Sequence, residues 1–197
     1  MRQSVADAFT AFSTKFEGSV DFPYLDVKCL VTSGIGDLLE PVGVFIGQPW
    51  RHRATGERAT AMAAMDGYHA VKARTELAQH GGMAFRTVTD LYLDQDAIKA
   101  LVAGRLRMNE AILRQRFPKL DEWPADAQLA LHSMAWAMGP AFQFPHFERA
   151  VNADPPDWEV AAHESHMSDG APSRNAANYR LLMSAAQGGD PGVLCWP

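Results

Sequence analysis

Cysteine is almost missing from this chain. Cys29 and Cys195 are the only two among 197 residues, too few for a disulfide framework. Free thiols are expected, and a Cys29–Cys195 bridge is the alternative in an oxidising location. Long apolar runs are missing too. No segment approaches the length of a membrane span. The N-terminal stretch MRQSVADAFTAFSTKF lacks the apolar run of a signal peptide, so unaided passage through the general export pathway is not expected. Positive charge is also short. Lys and Arg number 18 against 23 Asp and Glu, a formal net charge of −5. Nucleic acid usually recruits a basic face, so it is not an expected partner. The densest basic run, Arg51, His52, Arg53 and Arg58, reads as a solvated loop. Internal repeats and low-complexity segments do not occur.

What remains is globular in composition. Hydrophobic residues make up 47% and charged residues 21%, enough apolar side chain to fill a core at this length. Val5, Phe9, Phe12 and Phe16 recur at helical spacing and predict a helix over residues 4–16 that Gly18 stops. Tyr24 and Leu25, a polar turn at Asp26 to Lys28, then Leu30 and Val31 predict a β-hairpin. Pro41, Gly43, Gly47 and Pro49 break the next stretch into loops. Residues 57–79 read as an Ala- and Met-rich helix closed by Gly81 and Gly82. Residues 94–117 read as the longest helix, with Asp94 as N-cap. At about 1.5 Å per residue it spans roughly 35 Å. Residues 123–139 predict a buried helix. A last helix is expected from Ser173, its N-cap, to Gly188 and Gly189. The predicted class is α+β, mainly α.

Three residues near the start can carry chemistry: Glu17, Asp26 and Thr32. Two carboxylates on separate elements facing one cleft are what glycosidic-bond hydrolysis uses. One protonates the leaving oxygen, and the other activates water or attacks the sugar. Elsewhere the signals are weaker. His163 and His166 are three apart, not the four of a helical zinc pair, and no metal or cofactor is expected. Gly34-Ile35-Gly36 is too short for a phosphate loop, and Ser33 and Ser133 have no nucleophile elbow. Trp50 is a candidate sugar platform or, more simply, a core residue.

The stretch from Glu17 to Gly36 resembles the phage-type lysozymes, the family of the T-even phage enzyme. That motif is a Glu closing the first helix, an Asp nine positions later in a Tyr-x-Asp context, a Thr six positions on, and Gly-Ile-Gly. Glu17, Tyr24-Leu25-Asp26, Thr32 and Gly34-Ile35-Gly36 keep these spacings. Further matches follow in order. Trp136-Ala137-Met138-Gly139 resembles an aromatic-x-Met-Gly, Trp158 to Ala162 a Trp-x-x-Ala-Ala helix, and the stretch from Ala171 to Leu182 a Pro-x-Arg-x-Ala segment. Arg174 matches the Arg that reaches the catalytic Glu. The chain departs from the family at Asp37, where a structural His is usual. It departs also at Cys29, which replaces a small or polar turn residue, and at Ala137, which replaces a polar sugar contact.

The resemblance implies a single lysozyme-like domain with two lobes. An N-terminal lobe of about 17–90 would carry an expanded 41–86 segment. A strut helix of about 94–117 would follow, then a helical lobe of about 118–197 packing with helix 4–16. It implies a muramidase that cleaves the β-1,4 bond between N-acetylmuramic acid and N-acetylglucosamine. Glu17 would be the acid, with Asp26 and Thr32 holding the water. Arg174, Gly34, Met138, Asn175 and Trp50 would line the substrate, with Asn178 facing either cleft or solvent. The expected partners are peptidoglycan strands and, for a toxin delivered into a competitor, a cognate inhibitor; a monomer is expected. Action on the cell wall would follow specialised export or lysis. A lytic transglycosylase or chitinase-like glycosidase on the same fold, and a non-catalytic glycan-binding module, remain alternatives.

Overall fold

The structure, a computed structural model, describes residues 1–168, 172–188 and 192–196. Along the chain run α1 (Gln3–Glu17), β1 (Val20–Leu25), β2 (Val31–Gly34), β3 (Asp37–Leu38), α2 (Val42–Ile46), β4 (Arg51–His52), α3 (Ala61–Lys72), β5 (Leu91–Tyr92), α4 (Gln95–Arg116), α5 (Ala125–Met138), α6 (Pro145–Val151), α7 (Trp158–Glu164) and α8 (Pro172–Ala186). The class is α+β and mainly helical, with a small antiparallel sheet. Among the described residues no helix is long and apolar enough to cross a membrane. The chain divides into two compact units, Glu17–Gly104 and Met1–Phe16 with Arg105–Pro197.

The unit Glu17–Gly104 holds all the strands. The predicted hairpin exists and gains a third strand. β1 pairs with β2, with Tyr24 opposite Thr32, and β2 pairs with β3, with Ser33 opposite Asp37. Phe22, Leu25, Val31, Ile35 and Leu39 from the sheet region are buried in this unit, as are Phe45, Val71, Phe85 and Ile98. The loops expected over 41–49 contain the short helix α2, whose Phe45 is fully buried. The helix expected over 57–79 starts later and stops earlier. Ahead of α3 the backbone is used otherwise. The His52 N–H donates to the Glu57 carbonyl and the Ala59 N–H to the Trp50 carbonyl. The Thr60 side chain then caps α3 by accepting the Ala63 N–H. Thr75–His80 and Gly82–Phe85 form 3₁₀ turns. In the second of them Gly82 lies against Tyr24. A Cβ at Gly82 would stand 3.2 Å from Tyr24 Cγ, so a side chain there would press the ring by a few tenths of an ångström.

β4 and β5 form a second, two-residue ladder. Strands this short leave no period-two signal to read. They draw Arg51 and His52 of the basic run into a ladder, while Arg53 and Arg58 stay exposed. Arg51 pairs with Asp94 at 3.0 Å, His52 with Asp90 at 2.8 Å and Arg53 with Asp21 at 3.1 Å.

The other unit is helical. α5 is buried from Ala125 to Trp136, and α8 packs along it. Val5, Phe9 and Phe12 of α1 are fully buried, with Phe9 against Trp136 at 5.1 Å. Asp94 does cap α4, its Oδ1 accepting the Ala97 N–H at 2.9 Å. Ser173 is not an N-cap but lies inside the first turn of α8. The preceding Pro172 is already helical, a position that suits a residue without an N–H. Gly188 follows α8 with φ +72°; Ala171 and Gly189 lie outside the described residues. Cys29 and Cys195 are both free thiols.

Candidate active site

The α1 helix delivers Glu17 at its last residue, exposed to solvent. Residue 36, in the turn between β2 and β3, comes close to it. The position a Cβ would take there is 3.8 Å from Glu17 Oε2. The β2–β3 turn thus sits beside the Glu17 carboxylate.

Asp26 opens the turn between β1 and β2 and organises it. Its Oδ1 accepts the N–H of Lys28 at 2.8 Å and of Leu30 at 2.9 Å. Its own N–H donates to the Leu30 carbonyl at 3.0 Å, and its carbonyl accepts the Cys29 N–H at 2.9 Å. An aspartate that binds the backbone two and four residues on replaces bonds that the strand ladder no longer supplies. Oδ2 accepts no hydrogen bond among the described residues and is left for other work. Thr32 is 5% exposed. Its hydroxyl donates to the Leu30 carbonyl at 3.2 Å, which leaves the oxygen lone pairs as acceptors.

Tyr24 ties these groups together. It stands opposite Thr32 in the ladder. Burial pushes its hydroxyl up to about 12, and the negative charges of Glu17, Asp26 and Asp37 add to the rise. At neutral pH Tyr24 is therefore a neutral phenol that can donate a hydrogen bond but cannot serve as a base. The charges of Glu17, Asp26 and Asp37 all act on it in the same direction. Asp37, where the resembled family has a histidine, is 3% exposed. Its Oδ2 accepts the Ile35 N–H at 3.3 Å, so Asp37 itself supports the turn that follows β2. Gly34 has φ +65°, and a Cβ there would lie 3.0 Å from that same oxygen.

Trp50 does not belong to this site. It is 1% exposed, its ring stacks on Phe45 at 4.6 Å, and its indole N–H donates to the Phe45 carbonyl at 2.7 Å. A tryptophan so enclosed offers no face to a sugar; it is core.

The remaining candidates lie in the helical unit. Arg174, on α8, is 4% exposed, and its guanidinium lies 5.1 Å from the Phe16 ring. Met138 ends α5 and is 36% exposed. Asn175 spends its amide on its own neighbourhood. Oδ1 accepts the Met167 N–H and Nδ2 donates to the Met167 carbonyl, so it clamps the segment before α8. Asn178 is fully buried, facing neither cleft nor solvent. Among the described residues no group of three His, Cys, Asp or Glu could hold a metal.

The sequence motif carried Tyr24 only as context and missed the turn's outer support from α3. Lys72 donates to the Cys29 carbonyl at 2.9 Å and to Glu40 Oε1 at 2.8 Å. Nothing local relates positions 29, 40 and 72.

No model of a known protein family, no curated protein and no solved structure matches the chain.

Proposed function

We propose that the chain is a glycoside hydrolase of the peptidoglycan glycan strand, a muramidase cleaving the β-1,4 bond between N-acetylmuramic acid and N-acetylglucosamine. One observation carries the proposal. Glu17 lies beside the β2–β3 turn of the same small sheet whose β1–β2 turn holds Asp26 through Oδ1 alone, and both charges act on the half-buried Tyr24. Glu17, exposed at a helix end, is the group that protonates the leaving glycosidic oxygen. Asp26 Oδ2 takes a proton from water. The other hydrogen stays on the water oxygen and donates a hydrogen bond to Thr32 Oγ1, whose own hydroxyl donates to the Leu30 carbonyl. The water lone pair is then aimed at the anomeric carbon. The negative charges of Asp26 and Asp37 favour the oxocarbenium-like transition state. Attack by water on the face opposite the leaving group inverts the anomeric centre, a reaction that needs carboxyls roughly 6.5–9.5 Å apart.

The proposal includes a two-lobed, lysozyme-like fold, supported by the division into a mixed unit and a helical one. It also includes specialised delivery to a cell wall and, for a delivered toxin, an inhibitor that plugs the site.

The test compares the protein with Glu17→Gln on purified peptidoglycan, following turbidity and product masses. Clearing by the wild type alone, with reducing muramic ends, supports the muramidase. Anhydro products move the chain to the lytic transglycosylases. Equal clearing by both proteins removes Glu17 as the acid. Binding to the sacculus without clearing leaves a glycan-binding module.

A further inference from the structure

The turn that carries Asp26 contains Cys29, with φ +58°, the one non-glycine residue among the described residues in the left-handed region. An L-residue held there needs support from its surroundings. The support has a specific form. The peptide group joining Cys29 to Leu30 is trans, so its C=O and N–H point in opposite directions. On one side Lys72 Nζ donates to that C=O at 2.9 Å. On the other, the Leu30 N–H donates to Asp26 Oδ1 at 2.9 Å. A cation and a carboxylate thus grip one peptide plane from its two ends, and each polarises the bond the other makes.

Lys72 is itself held. It pairs with Glu40 Oε1 at 2.8 Å, and the same oxygen accepts the N–H of Val31, the first residue of β2. The hydrogen bond from Lys72 is the largest cause holding the Glu40 carboxyl below its ordinary range, with the Val31 N–H next. Glu40 in turn raises Lys72. The pair stays ionised across the physiological range.

We propose that Lys72, at the end of α3, is a positioning residue that aims the Asp26 carboxylate by fixing the Cys29–Leu30 peptide. Its catalytic half rests on the glycan hydrolase proposed above. The segment between β3 and β5 thereby gains a purpose, since α3 braces the turn from outside while Asp26 braces it from within. Without Lys72 the peptide plane is held from one end only. It can flip toward right-handed conformers, which takes the Leu30 N–H away from Oδ1 and lets the carboxylate swing.

The experiment uses the full chain as wild type, Lys72→Met and Lys72→Arg, with two readouts. Amide hydrogen exchange by NMR reports the turn without any substrate. Leu30 is expected to exchange about tenfold faster in Lys72→Met, with amides of α5 unchanged and Lys72→Arg restoring much of the protection. Hydrolysis of a soluble muropeptide oligomer reports the aim of Asp26. kcat is expected to fall about 10- to 100-fold with KM little changed, and Lys72→Arg to recover most of it. Unchanged exchange at Leu30 overturns the proposal whatever the activity. Faster exchange with unchanged kcat in an active enzyme overturns it too. A wild type that hydrolyses nothing removes the hydrolase and with it the catalytic half, while the exchange arm still decides whether Lys72 holds the turn. Should Lys72→Met not fold, Glu40→Gln makes the same comparison. It removes the charge that anchors Lys72 and keeps an oxygen for the Val31 N–H.

Discussion

Asp26 and Leu30 hold each other twice. The Leu30 N–H donates to the Asp26 carboxylate at 2.9 Å, and the Asp26 N–H donates to the Leu30 carbonyl at 3.0 Å. The same Leu30 carbonyl also accepts the Thr32 hydroxyl. Two of the three residues proposed for the chemistry therefore share one backbone anchor.

Asp26 consequently has a structural part that can be separated from its chemical one. Asp26→Ala leaves the Lys28 and Leu30 N–H groups without their acceptor and is expected to cost about 1–3 kcal/mol. Asp26→Asn keeps an oxygen for both N–H groups but cannot take a proton from water. It is expected to unfold in urea close to wild type and to clear no peptidoglycan.

Gly34→Ala tests the packing between the ends of β2 and β3. The backbone has φ +65°, and the new Cβ would press on Asp37 Oδ2 at 3.0 Å. A loss of about 1–3 kcal/mol is expected from the strained conformer and the displaced carboxylate. Denaturant melts measure it.

Trp50→Ala should behave as a core truncation, not as the loss of a sugar platform. With the ring 1% exposed, about 3–5 kcal/mol of stability is expected to go. The folded fraction should bind glycan fragments as wild type does in a calorimetric titration. A selective loss of glycan affinity at full stability would place the ring in the site instead.

His132 makes the helical unit acid-sensitive. It lies on α5 with no exposure, its ring 6.5 Å from that of Phe9 and nearly perpendicular to it, and among the described residues neither ring nitrogen has a hydrogen-bond partner. Burial takes it from 6.5 down to about 4. The Glu110 carboxylate opposes that fall, and the N-terminal ammonium and Arg114 reinforce it. The unfolded chain therefore binds a proton that the folded one refuses. His132 stability is complete above about pH 6.5 and is lost as pH falls toward 4. The loss is on the order of 3 kcal/mol. His132→Leu is expected to flatten the urea midpoint against pH in this window, and an unchanged slope would clear His132 of the effect.

Much of this was legible in the residues. Phe9 and Phe12 announced α1 because a helical stripe is a local pattern, and Asp94 announced α4 because a cap acts within three residues. Tyr24-Leu25 and Leu30-Val31 announced the hairpin. The β4–β5 ladder was not legible, because Arg51 and Tyr92 pair across forty residues in strands two residues long. Ser173 is not the cap because Pro172 before it is already helical.

The sequence by itself determined the helical periods, the mainly helical class and the spacing of Glu17, Asp26 and Thr32. Each follows from interactions a few residues apart. The tertiary structure decided what those residues meet. It buried Trp50 in the core, gave Asp37 the Ile35 N–H and let three carboxylate charges act on Tyr24. It also brought Lys72 to a peptide forty-three residues away. Such meetings depend on which faces pack together, and no local pattern encodes that choice.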